Sequence, residues 1–159
     1  MKIAATPSKW QCSRVTKKGE HSVMQAIEYR STRDISLNGL LSLYKANGWS
    51  AADKPDLLRK AFLNSETLIS AWDVETLVGL GNAISDGHLV VYYPHLLVLP
   101  EYHGRGIGRE IMQRLKQHYS GFHQHMLVAE AAAVEFYERT GFVRAGKTVP
   151  MWIYSGDDH

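Results

Sequence analysis

The residues best suited to chemistry form the run His103-Gly104-Arg105-Gly106-Ile107-Gly108-Arg109. It follows an apolar stretch ending at Leu99-Pro100. It opens a helical pattern in which Ile107, Ile111 and Leu115 recur at four-residue spacing. Alternate glycines at a helix start leave the first backbone amides bare of side chains. Those amides lack intrahelical partners, and the helix macrodipole adds partial positive charge, so the loop is an anion site. Arg105 and Arg109 flank it. Arg105 is the preferred phosphate contact, Arg109 suits phosphate and solvent equally, and the ligand implied is a pyrophosphate. Two other phosphate loops do not fit. A P-loop needs Lys and then Ser or Thr after its last glycine, where Arg109-Glu110 stand here. The dinucleotide fingerprint needs glycines at one, three and six, whereas these fall at one, three and five.

The run resembles motif A of the GNAT superfamily of acetyl-CoA-dependent N-acetyltransferases: Gln or Arg, two residues of any kind, Gly, any residue, then Gly or Ala, directly after a strand. His103 stands where Gln or Arg is usual. Downstream, Ala133-Val134-Glu135-Phe136-Tyr137-Glu138-Arg139-Thr140-Gly141-Phe142 resembles motif B of the same superfamily, with Glu130 in place of a frequent Asn. The resemblance covers about residues 26 to 154. It implies an α/β fold (a mixed α+β sheet): a central, mostly antiparallel sheet with splayed fourth and fifth strands and flanking helices. It further implies acetyl-CoA as cosubstrate and no metal. Pyrophosphate contacts fall on His103, Gly104, Arg105, Gly106, Ile107, Gly108 and Arg109. Main-chain contacts to the thioester and pantetheine fall on Leu96 and Val98, with a further contact at Glu130. Tyr137 lies where relatives place a hydrogen-bond or proton donor to the departing thiolate. The order of segments is also similar to the serotonin N-acetyltransferase branch, which suggests a small, arylalkyl amine.

Elementary chemistry adds a second requirement. An amine of pKa near 10.4 is neutral in only about one part in 2,500 at pH 7, which costs roughly 4.6 kcal/mol. A general base is therefore expected. His95 is the first choice, beside Pro94 on the central strand and with an ordinary pKa that suits neutral pH. Asp86, His88 and Glu101 are the other candidates, Asp86 and His88 reading rather as turn residues. A phenol of pKa about 10 facing a thiol of about 8.5 makes complete proton transfer from Tyr137 uphill by roughly 2 kcal/mol, so hydrogen bonding is the lighter demand.

These groups must be positioned by elements legible as periodicity. A first strand is expected at 26–30. Ser36 should cap a helix bearing Leu37, Leu40, Leu41 and Tyr44. A second helix should start near Ala51-Ala52-Asp53, with Pro55 in its first turn and Leu57, Leu58, Ala61 and Phe62 on its apolar face. Thr67–Trp72 and Thr76–Ile84 read as a hairpin. His88–Leu99 reads as one long strand buried on both faces, with a bulge at Pro94. A short strand at Met126–Ala129, a helix at Ala131–Thr140 and two strands within Phe142–Tyr154 complete the pattern. Trp10, Trp49, Trp72 and Trp152 read as core or as an acceptor pocket. His118, His123 and His125 read as solvated.

The 159 residues, 45% hydrophobic and 21% charged, suit one globular domain over 25–159 behind an N-terminal extension, residues 1–24, whose role the sequence leaves open. A net charge of +2 argues against a nucleic-acid partner. The single Cys12 and the absence of an apolar leader or membrane-length run suggest a cytoplasmic protein. The expectation is a single-domain acetyltransferase acting on a small-molecule primary amine by direct attack in a ternary complex. Acetylation of a protein or aminoacyl-tRNA amine, a non-catalytic acyl-CoA-binding regulatory module, and a homodimer all stay open.

Overall fold

The computed structural model describes residues 26–155. The expected N-terminal extension, with Trp10 and Cys12, lies outside the described residues. A six-stranded sheet is built around one central strand, β3 (Thr76–Ser85). On one side β3 pairs antiparallel with β2 (Thr67–Asp73), which pairs antiparallel with β1 (Glu28–Arg30). On its other side β3 pairs antiparallel with two short strands in succession, β4 (Val90–Tyr92) and β5 (Leu96–Val98). The last strand, β6 (Gln124–Met126), runs parallel to β4 and does not continue alongside β5.

Helices cover both faces. Helix α1 (Leu37–Ala46) is capped as expected, the Ser36 hydroxyl accepting from the Gly39 amide at 3.1 Å. Its Leu40, Leu43 and Tyr44 are buried. Helix α2 (Pro55–Leu63) begins at its proline, later than expected, because Ser50–Asp53 close into a separate 3-10 turn. Only Leu58 and Phe62 of its expected apolar face are buried, and Leu57 points outward. On the opposite face, α3 (Ile107–His118) buries Ile107, Ile111, Met112 and Leu115. It sits low on β3 because Gly79 and Gly81 offer no side chains. A Cβ on Gly81 would stand 2.6 Å from Ile111 Cγ2. The α3–sheet distance is therefore set by glycine.

Three expectations need correction. The segment His88–Leu99 is two strands, not one, and it is buried on one face only. Val91, Tyr93, Leu97 and Leu99 are buried, while Leu96 and Val98 on the α3 side are only half-buried and Tyr92 is exposed, because a cavity opens beside them. The strand expected at Met126–Ala129 lies earlier, at Gln124–Met126, since Tyr93 N donating to Met126 O is the last backbone bond between these segments. The strands expected within Phe142–Tyr154 do not form. Pro150 removes a donor, no strand among the described residues pairs with the segment, and Val143, Val149, Met151 and Ile153 face outward. The expected helix at 131–140 is present as a 3-10 turn (Ala131–Ala133) leading into α4 (Val134–Arg139), ended by Gly141 at φ 94°. Among the described residues no helix is long and apolar enough to cross a membrane.

Gly81→Ala should lower stability by about 2 kcal/mol through overpacking against Ile111, measured as a shift of the urea midpoint. A midpoint within error of wild type would mean that α3 is not held at a glycine-limited distance.

Candidate functional site

The strand break makes the site. Asn82 N donates to His95 O at 3.2 Å and Leu99 N to Val78 O at 2.9 Å, so the odd-numbered residues of this stretch present their backbone groups to β3. Alternation turns the N–H and C=O of Leu96 and Val98 the other way. No strand meets them there, because β6 pairs only with β4 and Pro94 has no N–H to continue a ladder. The result is a cavity of about 1030 Å³ lined by Leu96 and Val98 on one wall and by Val128, Ala129 and Glu130 on the other.

One end of the cavity is the glycine loop. Gly104 and Gly106 adopt left-handed backbone, φ 77° and 81°, and Gly106 is the N-cap of α3 with no side-chain cap bond. A Cβ at either glycine would meet nothing within 4 Å, so the space over these amides is open. Gly108 is close-packed instead, with the Phe136 ring of α4 at 3.4 Å from its would-be Cβ. Open left-handed glycines at the N-terminus of a twelve-residue helix fit a pyrophosphate.

The flanking side chains divide differently from the sequence expectation. Arg109 lines the cavity. Arg105 does not: it donates to the Glu101 carbonyl at 3.0 Å and lies over the Tyr102 ring, 4.5 Å from its centroid. His103 lines the cavity, but its Nε2 hydrogen-bonds to Val98 O at 2.8 Å and so ties the loop to β5. Asp86 is a turn residue, its Oδ1 accepting from the amides of His88, Leu89 and Val90. Glu101 sits in a 3-10 turn (Pro100–Tyr102).

His95 and Tyr137 line the same cavity. His95 is enclosed by Tyr44 and Trp49 edge-on and by Phe62 at a tilt, at 5.4–6.0 Å between ring centroids. Burial pushes its pKa down to about 4. Its Nδ1 lies 2.7 Å from the Tyr44 hydroxyl. A phenol both donates and accepts, so the pair supports either tautomer. When Nδ1–H donates to Tyr44, Nε2 is left as an acceptor. Tyr137 is held by Phe136 and Phe142, and its hydroxyl makes no hydrogen bond to a described residue. Burial pushes its pKa up to about 12, and the Glu130 carboxylate and Tyr92 add to the rise. Tyr137 is thus a protonated donor throughout the neutral range.

Sequence reasoning passed over several lining residues. Tyr92 read only as part of a buried strand, and Tyr44, which does not line the cavity but is buried behind His95, read only as helix core. Trp49 and Trp152 line the cavity, whereas Trp72 is core. Nothing local marks Tyr154, which reaches the cavity through the unpaired C-terminal segment. His125 is not solvated, as its Nδ1 lies 2.8 Å from the Tyr93 hydroxyl.

Because His95 is held neutral, the unfolded chain binds a proton more readily than the fold between about 6.5 and about 4. Its contribution to stability is full above pH 6.5 and lost as pH falls. The urea-derived stability of wild type should fall by about 2 kcal/mol more than that of His95→Gln between pH 6.5 and about 5. Parallel pH profiles for the two proteins would show that His95 is not held neutral by its surroundings.

A family model for the acetyltransferase (GNAT) domain matches residues 32–151. A GNAT-family acetyltransferase from Streptococcus pneumoniae TIGR4 is 29% identical, with TM-score 0.72, over 82% of this chain and all of that one. An aminoglycoside N-acetyltransferase in complex with the bisubstrate analogue CoA-S-monomethyl-acetylneamine shares the fold at 13% identity and TM-score 0.64, over 82% of this chain and all of that one. Glucosamine-6-phosphate N-acetyltransferase from Arabidopsis thaliana does so at 13% identity and TM-score 0.60, over 82% of this chain and 99% of that one. A search of the curated proteins gave no match.

Proposed function

This chain belongs to the GNAT acetyltransferase family, and we propose that it transfers acetyl from acetyl-CoA to the primary amine of a small molecule, by direct attack in a ternary complex. The observation that carries this reading is one cavity joining an open glycine-amide loop, an unpaired strand edge and a protonated tyrosine. The aminoglycoside N-acetyltransferase that shares the fold holds a CoA–amine bisubstrate analogue, which supports an amine acceptor.

The pyrophosphate is bound by the amides of Gly104, Gly106, Ile107 and Gly108, with Arg109 as the cationic contact. Arg105 and His103 shape the loop through Glu101, Tyr102 and Val98. The outward N–H and C=O of Leu96 and the N–H of Val98 hold the pantetheine amide and the thioester carbonyl, the Val98 carbonyl being bonded to His103. An amide N–H there stabilises the oxyanion as the nitrogen attacks. The N–C bond forms and the C–S bond breaks, the nitrogen's proton passes to water, and the departing thiolate takes a proton from solvent, so the products are an amide and a thiol. Tyr137 donates a hydrogen bond to the departing sulfur. Full proton transfer from a phenol of about 12 to a thiolate of about 8.5 would cost about 5 kcal/mol, so Tyr137 stabilises the thiolate rather than protonating it. His95 accepts a hydrogen bond from the amine through Nε2. Complete protonation of His95 at pH 7 would cost about 4 kcal/mol, so its service is to align the amine and share its proton while Tyr44 receives Nδ1–H. Glu130 bounds the Tyr137 end of the cavity.

Thiol release from acetyl-CoA across a panel of amines tests the reading. Tyr137→Phe should lower kcat by about 10- to 100-fold while the acetyl-CoA Kd changes by less than about twofold, the cost of one charged hydrogen bond. An unchanged kcat would remove Tyr137 from the mechanism. Acetyl-CoA binding with no amine turned over would instead favour a regulatory acyl-CoA-binding module. In calorimetric titrations Arg109→Ala should weaken acetyl-CoA binding by about tenfold and Arg105→Ala by about twofold or less. The reverse order would return the phosphate contact to Arg105.

A further inference from the structure

Three segments distant in sequence bring aromatic rings to the end of the cavity away from the glycine loop. Trp49 follows α1 and packs edge-on against His95 at 5.4 Å. Tyr92 stands on β4 on the accessible face of the sheet. Trp152 and Tyr154 come from the C-terminal segment and stack on each other at 5.1 Å and 20°. All four rings line the one cavity.

The C-terminal segment is tied over this end. The Tyr154 hydroxyl lies 3.3 Å from Ser50 Oγ, beside Trp49, and Lys54 Nζ donates to Ser155 Oγ at 3.3 Å. Its intervening residues point elsewhere, Met151 being 91% exposed and absent from the lining. The strap therefore contributes its aromatic side to the cavity. Charge narrows the occupant further. Among the described lining residues the only carboxylate is Glu130, against the guanidinium groups of Arg109 and Arg139. A polyamine or aminosugar with several ammonium groups would need several acidic partners. A single amine on an aromatic body needs ring faces and a low-dielectric surround. Such a surround also disfavours the ammonium form, so the chamber helps to supply the neutral nucleophile that a weakly basic His95 cannot supply alone.

We propose that the acceptor is a monoamine carried on an aromatic ring, received between Trp49 and Tyr92 and the Trp152–Tyr154 strap, and that Trp152 is a specificity-determining residue. This inference rests on the acetyl-transfer reading above and names the substrate class of the same site.

The test compares kcat/KM for phenethylamine, tryptamine, butylamine, spermidine and glucosamine in wild type, Trp152→Ala, Trp152→Phe and Met151→Ala. The two aromatic amines should exceed butylamine by about tenfold or more. Trp152→Ala should erase that margin by raising the KM of the aromatic amines about tenfold more than that of butylamine, while the KM of acetyl-CoA shifts by less than about twofold. Trp152→Phe should restore most of it, and Met151→Ala should leave every value as in wild type. A flat panel, a lead by spermidine or glucosamine, or an equal loss on all amines in Trp152→Ala would overturn the proposal. Calorimetric titration of tryptamine into the CoA-loaded protein separates the two readings. Binding without turnover of any amine would overturn acetyl transfer and keep the aromatic chamber. Turnover of other amines without tryptamine binding would overturn the chamber alone.

Discussion

The structure depends on one interrupted ladder. β3 is long enough to pair with both β4 and β5, yet the strand on their far side, β6, follows only β4. The backbone bonds cease at Tyr93, and the next residue is Pro94, which has no amide to offer. Backbone polar groups left unpaired in a sheet need a partner or water. At Leu96 and at the Val98 amide they face a cavity, whereas the Val98 carbonyl is taken by His103 Nε2, so the same defect that ends the sheet leaves a short row of backbone donors and acceptors open. Bulges and strand breaks of this kind often mark functional edges, and here the link is direct.

The second constraint is the seat of α3. Its N-terminus can serve as an anion site only if it lies level with the open strand edge. Gly79 and Gly81 let Ile107 and Ile111 settle against β3, and Gly108 admits the Phe136 ring. Phe136 adjoins Tyr137, so the packing that places the phosphate loop also orients the tyrosine. Core packing and cavity geometry thus share the same contacts, and a change of one methyl group in this layer reaches the cavity.

The electrostatics follow from burial. Both groups proposed for the reacting centre are shifted toward their neutral forms, His95 downward and Tyr137 upward. A site of this kind works by preorganised hydrogen bonds and exclusion of water rather than by a strong base. Such surroundings suit the proposed acetyl transfer, whose nucleophile must arrive neutral.

The sequence by itself determined the elements with strong local signals: the Ser36 cap, the Ile107–Leu115 helix face, the β2–β3 hairpin and the alternate glycines at a helix start. Each rests on interactions within a few residues, so periodicity and cap chemistry suffice to find it. The resemblance built on two short motifs was enough to point to the family. What tertiary structure decided was direction and company. Arg105 and Arg109 stand four apart on one helix start, yet only the fold turns one onto Tyr102 and leaves the other on the cavity. The apolar run His88–Leu99 looks continuous, but its burial depends on whether a strand or a void lies beside it. The C-terminal apolar residues carry a strand pattern but join no strand of the described sheet, and they form a strap whose two inward rings help to line the cavity. These outcomes depend on which distant segments meet, and no local pattern encodes that.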